Sequence, residues 1–176
     1  MPSFLSHPAV PLAIGLGLGR AAISPRLLAF GVAASILPDF DVLAFRMGID
    51  YADALGHRGV THSLMFALAI AIVALLFAPQ LRAPPKTAFL FVLVAAASHG
   101  LFDMLTNGGL GVAILWPFSD GRYFFPLRVI EASPLSLRRF FGPSGYPVLL
   151  SEVLWVWLPC ALAYLALRRV RREHAR

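Results

Sequence analysis

Five apolar segments separated by short polar turns restrict this chain to a membrane-embedded helical fold. They cover about residues 8–19, 27–45, 64–78, 87–105 and 146–167. A helix that spans a bilayer needs roughly 17–25 residues. The second, fourth and fifth segments meet this length, the third is marginal, and the first is short enough to be only partly inserted. The sequence therefore predicts an all-α integral membrane bundle of four or five helices with one long interfacial loop.

Composition agrees with this location. The 176 residues are 59% hydrophobic and 14% charged, whereas a soluble domain is about 45–50% apolar and about 25% charged. We expect a single membrane-embedded domain over residues 1–176. Cys160 is the only cysteine, so the sequence offers neither a disulfide framework nor a thiolate metal cluster.

The net charge of +6 is concentrated locally, because five of the fifteen basic residues lie in the tail 168–176. A basic run directly after an apolar segment is typical of a topology anchor that lies against anionic lipid. We therefore predict membrane lipid as a partner and no nucleic acid.

Short polar clusters at the edges of the apolar segments contain most of the histidines. They read Pro38-Asp39-Phe40-Asp41, His57-Arg58-Gly59-Val60-Thr61-His62-Ser63 and His99-Gly100-Leu101-Phe102-Asp103. Ionisable groups within a membrane cost several kcal/mol unless they are paired, bound to metal or exposed to water. Groups kept in so apolar a chain are expected to act together, which makes a metal site the first hypothesis.

The order of the hairpins brings these groups to one face of the membrane. Basic turns at residues 20–26 and 82–86, together with the basic tail, belong on the cytoplasmic side by the positive-inside rule. Alternating from there places seven groups at the outer face: His7, Asp39, Asp41, His57, His62, His99 and Asp103. The convergence depends only on hairpin alternation, so it holds for either absolute orientation. We expect the site on the outer face of the membrane and the C-terminus in the cytoplasm.

Spacing within the clusters gives local predictions. His99 and Asp103 are four residues apart, so they share one helical face and can reach a common ion. A buried histidine hydrogen-bonded to its neighbouring aspartate is the alternative. Asp39 and Asp41 face the same way only if the backbone is extended or broken, and Pro38 supplies a reason for a break.

The second cluster fits a turn that enters a helix, with Thr61 or Ser63 as the N-cap. His62 then lies at a helix start and is directed across the bundle. Arg58 has two interpretations: a structural partner of an aspartate, or a bidentate ligand for an anionic phosphate.

Residues 106–145 form the one long connection, rich in glycine, proline and aromatic residues. Loops of this length often carry function or cover a site. We interpret it as a lid in the headgroup layer over the polar cluster. An irregular connector anchored at the interface is the equal alternative. Glu131 and Glu152 could add a ligand from this side, although neither belongs to a cluster.

Four histidines and three aspartates together indicate bound metal, most simply zinc, with manganese as the alternative. The number of ligands exceeds the four of one tetrahedral zinc, which suggests two or three ions. Such a site activates water for displacement at a phosphoester. In this hypothesis Asp39 or Asp41 is the base and Arg58 holds the phosphate. The alternative function is a metal-ion or proton-coupled transporter or binding protein that uses the same cluster. A haem site ranks third, because it has no need for aspartates.

The quoted motifs, with Trp116-Pro117-Phe118 in the loop, resemble the YdjM-type family of bacterial inner-membrane metal-dependent hydrolases. The resemblance covers His7 to about Phe118, and the His-Arg-Gly-X-Thr-His-Ser string is its most specific part. It implies a hydrolase of the bacterial inner membrane, and we expect its substrate to be a small molecule or a lipid. More distantly, His99-X-X-X-Asp103 is similar to zinc-dependent phospholipase C and P1-type nucleases. That similarity implies phosphoester hydrolysis, with His99 and Asp103 as ligands. Those enzymes also use an N-terminal amino group and a glutamate, which are not matched in this sequence.

Overall fold

The computed structural model describes residues 1–134 and 137–174, and these residues form helices and loops without a β-strand. The α-helices are Ala9–Leu18 (α1), Pro25–Ile36 (α2), Leu64–Leu76 (α3), Pro85–Met104 (α4), Leu137–Phe140 (α5), Gly145–Glu152 (α6) and Leu158–Glu173 (α7). Shorter 3₁₀ segments occupy Leu37–Met47 and Val60–His62, and a π-helical turn, Val153–Trp157, joins α6 to α7. The predicted all-α fold is confirmed.

Three continuous helical stretches are long and apolar enough to cross a membrane: Pro25–Met47, Pro85–Met104 and Gly145–Glu173. They correspond to the second, fourth and fifth apolar segments. The helices α1 and α3, with 10 and 13 residues, are apolar but shorter than a full span. Whether the bundle counts four or five embedded helices therefore stays a prediction.

Small residues bring α2 and α3 close to the central helix α4. Ala67, Ala71 and Ala74 are buried on α3, and Ala88 and Ala95 are buried on α4. Without large side chains between them, the helix backbones can approach each other closely, as is typical of membrane bundles. This packing holds the end of α2, the start of α3 and the end of α4 at the same end of the bundle.

Serine caps and prolines determine where the helices begin. Ser63 caps α3 by accepting a hydrogen bond from the Phe66 amide, which confirms one of the two predicted N-caps. At the opposite end, Ser24 accepts from the Leu27 amide and Pro25 occupies the first position of α2. The caps fix α2 as running towards the polar clusters and α3 as running away from them.

The backbone after α2 departs from the α-helix, as predicted at Pro38, but it is not extended. It tightens into the 3₁₀ segment Leu37–Met47, which includes both Asp39 and Asp41. In such a helix, with three residues per turn, side chains two apart point in different directions. The two carboxylates therefore lie on two sides of one histidine, as described below, rather than side by side.

The long connection after α4 packs on the loop that contains His57. Ala113 donates its amide to the Arg58 carbonyl, and the Leu64 amide donates to Ile114. The Arg122 guanidinium donates to the carbonyls of Tyr51, Asp53 and His57. These contacts place the connection over the polar end of the bundle, and its role as a lid stays a prediction.

Candidate metal centre

The polar end of the bundle brings together all seven side chains that the sequence selected. Their donor atoms form three overlapping groups, within each of which the atoms lie less than 4.8 Å apart. The groups are His7–His99–Asp103, Asp39–His62–His99 and Asp41–His57–His62. Each of the seven side chains is almost completely removed from solvent. That they bind metal is a prediction, whereas their convergence is a feature of the fold.

An inner group consists of His7, His62, His99, Asp39 and Asp103, whose donor atoms form two overlapping triads that share His99. The Nε2 atoms of His62 and His99 are 2.9 Å apart. Asp39 Oδ1 lies 3.5 Å from His99 Nε2, and Asp39 Oδ2 lies 3.6 Å from His7 Nε2. Asp103 closes the group, with Oδ1 3.9 Å from His7 Nε2 and Oδ2 3.3 Å from His62 Nε2.

Several atoms of this inner group are buried without a hydrogen-bond partner among the described residues. They are both ring nitrogens of His7 and both carboxylate oxygens of Asp39 and of Asp103. Leaving a buried polar group unsatisfied costs about 1–3 kcal/mol, and more when the group is charged. Bound metal would satisfy one nitrogen of His7 and oxygens of the two carboxylates, so the donor set fits a metal site.

Hydrogen bonds outside the centre orient two of the imidazoles towards it. His99 Nδ1 lies 2.7 Å from the Ser35 carbonyl oxygen, which can only accept, so Nδ1 carries the proton. His62 Nδ1 lies 3.1 Å from Asp41 Oδ2 and 3.1 Å from Thr61 Oγ1, whose own proton is donated to Asp41, so this Nδ1 also carries a proton. The two facing Nε2 atoms then need a proton or a cation between them. Two nitrogens bound to one tetrahedral zinc are about 3.3 Å apart, close to the observed separation.

Asp41 and His57 form an outer group beside His62. The Asp41 carboxylate accepts from His57 Nδ1 at 2.6 Å, from Thr61 Oγ1 at 2.8 Å and from the Arg58 amide at 3.1 Å, in addition to His62. Its oxygens are thus saturated, unlike those of Asp39. This is the arrangement of a carboxylate that orients a metal-binding histidine. Direct binding by Asp41 and His57, and a base role for Asp41, stay predictions.

Arg58 is completely buried and its guanidinium is occupied by the protein. Nε lies 3.1 Å from Asp103 Oδ2, while the terminal nitrogens donate to the Gly108 carbonyl at 2.7 Å and to Thr106 Oγ1 at 2.9 Å. Its φ of 63° is in the left-handed region, which is uncommon for residues other than glycine. Of the two interpretations of Arg58, the aspartate partner is the one observed. Phosphate binding by Arg58 stays a prediction.

Two histidines outside the spanning helices, His7 and His62, have opposite pKa shifts. Burial, together with the neighbouring His99, lowers the pKa of His7 to about 3, so the His7 imidazole is neutral at pH 7. Burial also disfavours the charged form of His62, but its contacts with the Asp103 and Asp41 carboxylates outweigh this and raise its pKa to about 9. The carboxylates thus attract positive charge to the centre, as a proton or as a cation.

Glu152 is the buried acidic residue that the sequence reasoning placed outside any cluster. It accepts from the Ser3 amide, from Ser3 Oγ at 2.7 Å and from Ser6 Oγ at 2.8 Å. Trp157 Nε1 also donates to Ser6 Oγ, at 3.1 Å. Glu152 therefore fixes the segment directly before His7 rather than acting as a ligand. The sequence feature that could have predicted these contacts is the pair of serines, Ser3 and Ser6, that precedes His7.

Asp39 is the most exposed member of the inner group, at 7%, against 3% or less for the other four. It faces a cavity of about 200 Å³. The other residues around this cavity are mostly apolar: Met1, Ser3, Phe4, Val42, Ser133, Pro134 and Phe140. Among the described residues, this cavity is the approach by which a small group can reach the centre.

Fold and site together define an integral membrane helical bundle with a buried His/Asp cluster that could bind metal. The family model described as "YdjM inner membrane protein" matches residues 1–175, and the chain belongs to this family. The Escherichia coli K12 protein named "Inner membrane protein YbcI" is 47% identical over 160 residues, which are 90% of this chain and 92% of that protein.

Two further relatives are named "Inner membrane protein YdjM", from Escherichia coli K12 and from Shigella flexneri. Each is 34% identical over 112 residues, which are 63% of this chain and 52% of the relative. No solved structure matches the chain. The resemblance to the YdjM family is thus confirmed, and the names agree with a bacterial inner-membrane location. The more distant similarity to phospholipase C and the nucleases is not shown by these comparisons, and the names do not mention hydrolysis.

Proposed function

We propose that this protein is a metal-dependent hydrolase of the inner membrane that acts on a phosphoester or lipid-like substrate. The observation that carries the proposal is the set of buried, unpartnered donor atoms of His7, Asp39 and Asp103, which face the Nε2 atoms of His62 and His99. A purely structural polar network would be expected to satisfy its own oxygens. Here the outer carboxylate, Asp41, is satisfied and the inner ones are not.

Zinc is the proposed ion, because imidazole with carboxylate is a common donor set for it, and manganese is the alternative. The inner group provides donors for one ion. A second ion at Asp41, His57 and His62 would have to replace the hydrogen bonds that Asp41 now accepts. We therefore expect one tightly bound ion and a weaker second site.

A metal held by these residues would supply Lewis acidity and would favour attack of a bound water on a phosphoester. The protein contributes the remaining parts of the chemistry. Asp39 belongs to the inner group and also lines the cavity, so one of its oxygens is placed to accept a proton from water that enters there. Arg58 contacts Asp103 at 3.1 Å and completes the burial of the centre.

The surroundings of the cavity support an amphipathic substrate. Phe4, Val42 and Phe140 give it mainly apolar walls, while Asp39 is its charged residue. His99 lies 14 residues after Pro85 on α4, which is about 21 Å along a helix. Measured from Pro85 at the basic end of α4, the centre therefore lies within a hydrocarbon core that is roughly 30 Å thick. It is closer to the membrane surface opposite the basic end, which we call the far side. By the positive-inside rule, we place that far side outside the cell and the C-terminal tail in the cytoplasm.

The first experiment is elemental analysis of the full-length protein purified in detergent. We expect at least one zinc per chain, loss of that zinc in His99→Ala, and retention in His174→Ala, whose imidazole is exposed near the C-terminus. Wild-type protein that holds no metal and takes up none from added zinc would overturn the proposal.

The second experiment tests hydrolysis itself. Zinc-loaded protein is incubated with phosphoester lipids in mixed micelles, alongside Asp39→Asn protein and a chelated sample. We expect product from the wild type only. The transport alternative requires a path to the other side, whereas no comparable His/Asp group occurs at the basic end of the described chain. Zinc flux into proteoliposomes without any hydrolysis would favour that alternative.

A further inference from the structure

A groove between α1 and α7 begins at Ala9, two residues after His7, and runs along α1. Its walls are Leu12, Ala13 and Leu16 of α1 and Trp157, Ala161 and Tyr164 near and on α7, and they enclose about 220 Å³. On each helix these positions follow the three- and four-residue spacing of one face. The two helices approach closely below the groove, where Gly17 has no room for a side chain against Leu167. The groove is therefore a fixed feature of the helix packing.

The groove continues in both directions. Leu12 and Trp157 also line a cavity of about 510 Å³ beside Pro8, and Leu16 also lines one of about 410 Å³ at the start of α2. Together these cavities follow α1 over its whole length of 10 residues, about 15 Å. That length equals one leaflet of a hydrocarbon core that is roughly 30 Å thick.

The end of the groove at the start of α2 is positively charged. Arg20 and Arg171 line its last cavity, and both are exposed. Arg171 makes one long contact, 3.4 Å from the Leu16 carbonyl oxygen, and Arg168 donates to Tyr164 Oη at 3.1 Å. The nearby Glu173 carboxylate pairs with Arg169 instead. Guanidinium groups at the end of an apolar channel match the phosphate of a lipid whose acyl chain lies in the channel.

We propose that this groove binds an anionic phospholipid, with one acyl chain along α1 and the phosphate held by Arg20 and Arg171. This proposal does not depend on metal binding or on hydrolysis. A second copy of the chain is a poorer occupant, because a parallel pair would bring two basic ends together. A zwitterionic lipid would gain the same apolar contact but less from the arginines.

The test is native mass spectrometry of the full-length protein, titrated with phosphatidylglycerol or with phosphatidylcholine of the same acyl chains. We expect wild-type protein to bind phosphatidylglycerol at least tenfold more tightly. The double variant Arg20→Gln/Arg171→Gln should lose this preference. The matched control Arg46→Gln/Arg169→Gln removes the same charge from exposed positions outside the groove and should keep it. Equal binding of both lipids by the wild type, or an unchanged preference in the double variant, would refute the proposal.

A second pair of variants tests the acyl-chain part of the site without changing its charge. Ala161→Phe fills the groove, whereas Leu162→Phe adds a similar ring on a neighbouring exposed position. We expect at least a tenfold loss of phosphatidylglycerol affinity for the first variant and none for the second. Undiminished binding by Ala161→Phe would place the lipid elsewhere, and a dimer without lipid would assign the groove to a second copy.

Discussion

The ion pairs at the two ends of the bundle differ in their exposure to solvent. At the polar end, Arg58 and Asp103 are completely buried and lie 3.1 Å apart. At the basic end, Arg169 and Glu173 form a contact of 3.0 Å with side chains that are 83% and 61% exposed. Similar distances therefore have different consequences, because solvent screens the exposed pair and the fold must compensate the buried one. Burial, rather than the presence of charge, separates a candidate site from a topology anchor.

The largest effect is expected from breaking the buried pair. Asp103→Ala removes one inner donor and leaves the Arg58 guanidinium buried without its counterion, which costs about 3–5 kcal/mol. The exposed counterpart, Glu173→Ala, should cost less than about 1 kcal/mol. Thermal unfolding in detergent, with chelator present in all samples, compares the two variants. Equal losses of stability in the two variants would show that burial does not make the first ion pair more important than the second.

The next largest effect is expected from removal of the metal. If the centre holds an ion in the folded state only, chelation should lower stability by about 3–4 kcal/mol when free metal had been 100- to 1,000-fold above its dissociation constant. The measurement is the unfolding temperature before and after dialysis against chelator, followed by addition of zinc. The temperature should fall and then recover. An unchanged unfolding temperature would mean that the buried donors are satisfied in another way.

Asp41 distinguishes the inner from the outer group. Because its carboxylate orients His62 and is saturated by hydrogen bonds, Asp41→Asn should weaken zinc binding by roughly 10–100-fold without abolishing it. Asp39→Asn, in the inner group, should weaken zinc binding more. Competition with a chromogenic chelator measures both affinities. If the two variants are reversed in order, Asp41 is the ligand and Asp39 the support.

The smallest effect is expected at a helix cap of the basic end. Ser24→Ala removes the N-cap of α2 and should cost about 0.5–2 kcal/mol. Metal content should remain that of the wild type, since the cap lies at the opposite end of α2. Parallel measurement of unfolding temperature and bound zinc decides this. A loss of zinc would show that the two ends are coupled through α2.

The sequence was sufficient for the features that depend on local order. Apolar length predicted the three long helices, and hairpin alternation predicted that His7, Asp39 and Asp103 converge although they are far apart in the chain. The 3₁₀ backbone at Asp39 and Asp41 was predicted only as a departure from the α-helix. Its form accompanies tertiary contacts, because Asp41 accepts hydrogen bonds from His57, Thr61 and the Arg58 amide.

Contacts between distant segments could not be derived from spacing. Glu152 accepts hydrogen bonds from Ser3 and Ser6, which precede it by 149 and 146 residues in the chain. These bonds fix the position of the segment that leads to His7. Arg58 is held by Thr106 and Gly108, which lie outside the clusters that the sequence selects. In both cases tertiary packing determines the partner residue, and the spacing of residues along the chain does not predict it.

The central claim is that a metal ion bound by the inner group, rather than hydrogen bonding alone, satisfies the buried donor atoms. Zinc K-edge X-ray absorption on zinc-loaded, full-length protein tests it most directly. We predict about three imidazole nitrogens at roughly 2.0–2.1 Å with one or two carboxylate oxygens, and loss of an imidazole contribution in His99→Ala. A spectrum with sulfur at roughly 2.3 Å, or one without imidazole scattering, would contradict the account.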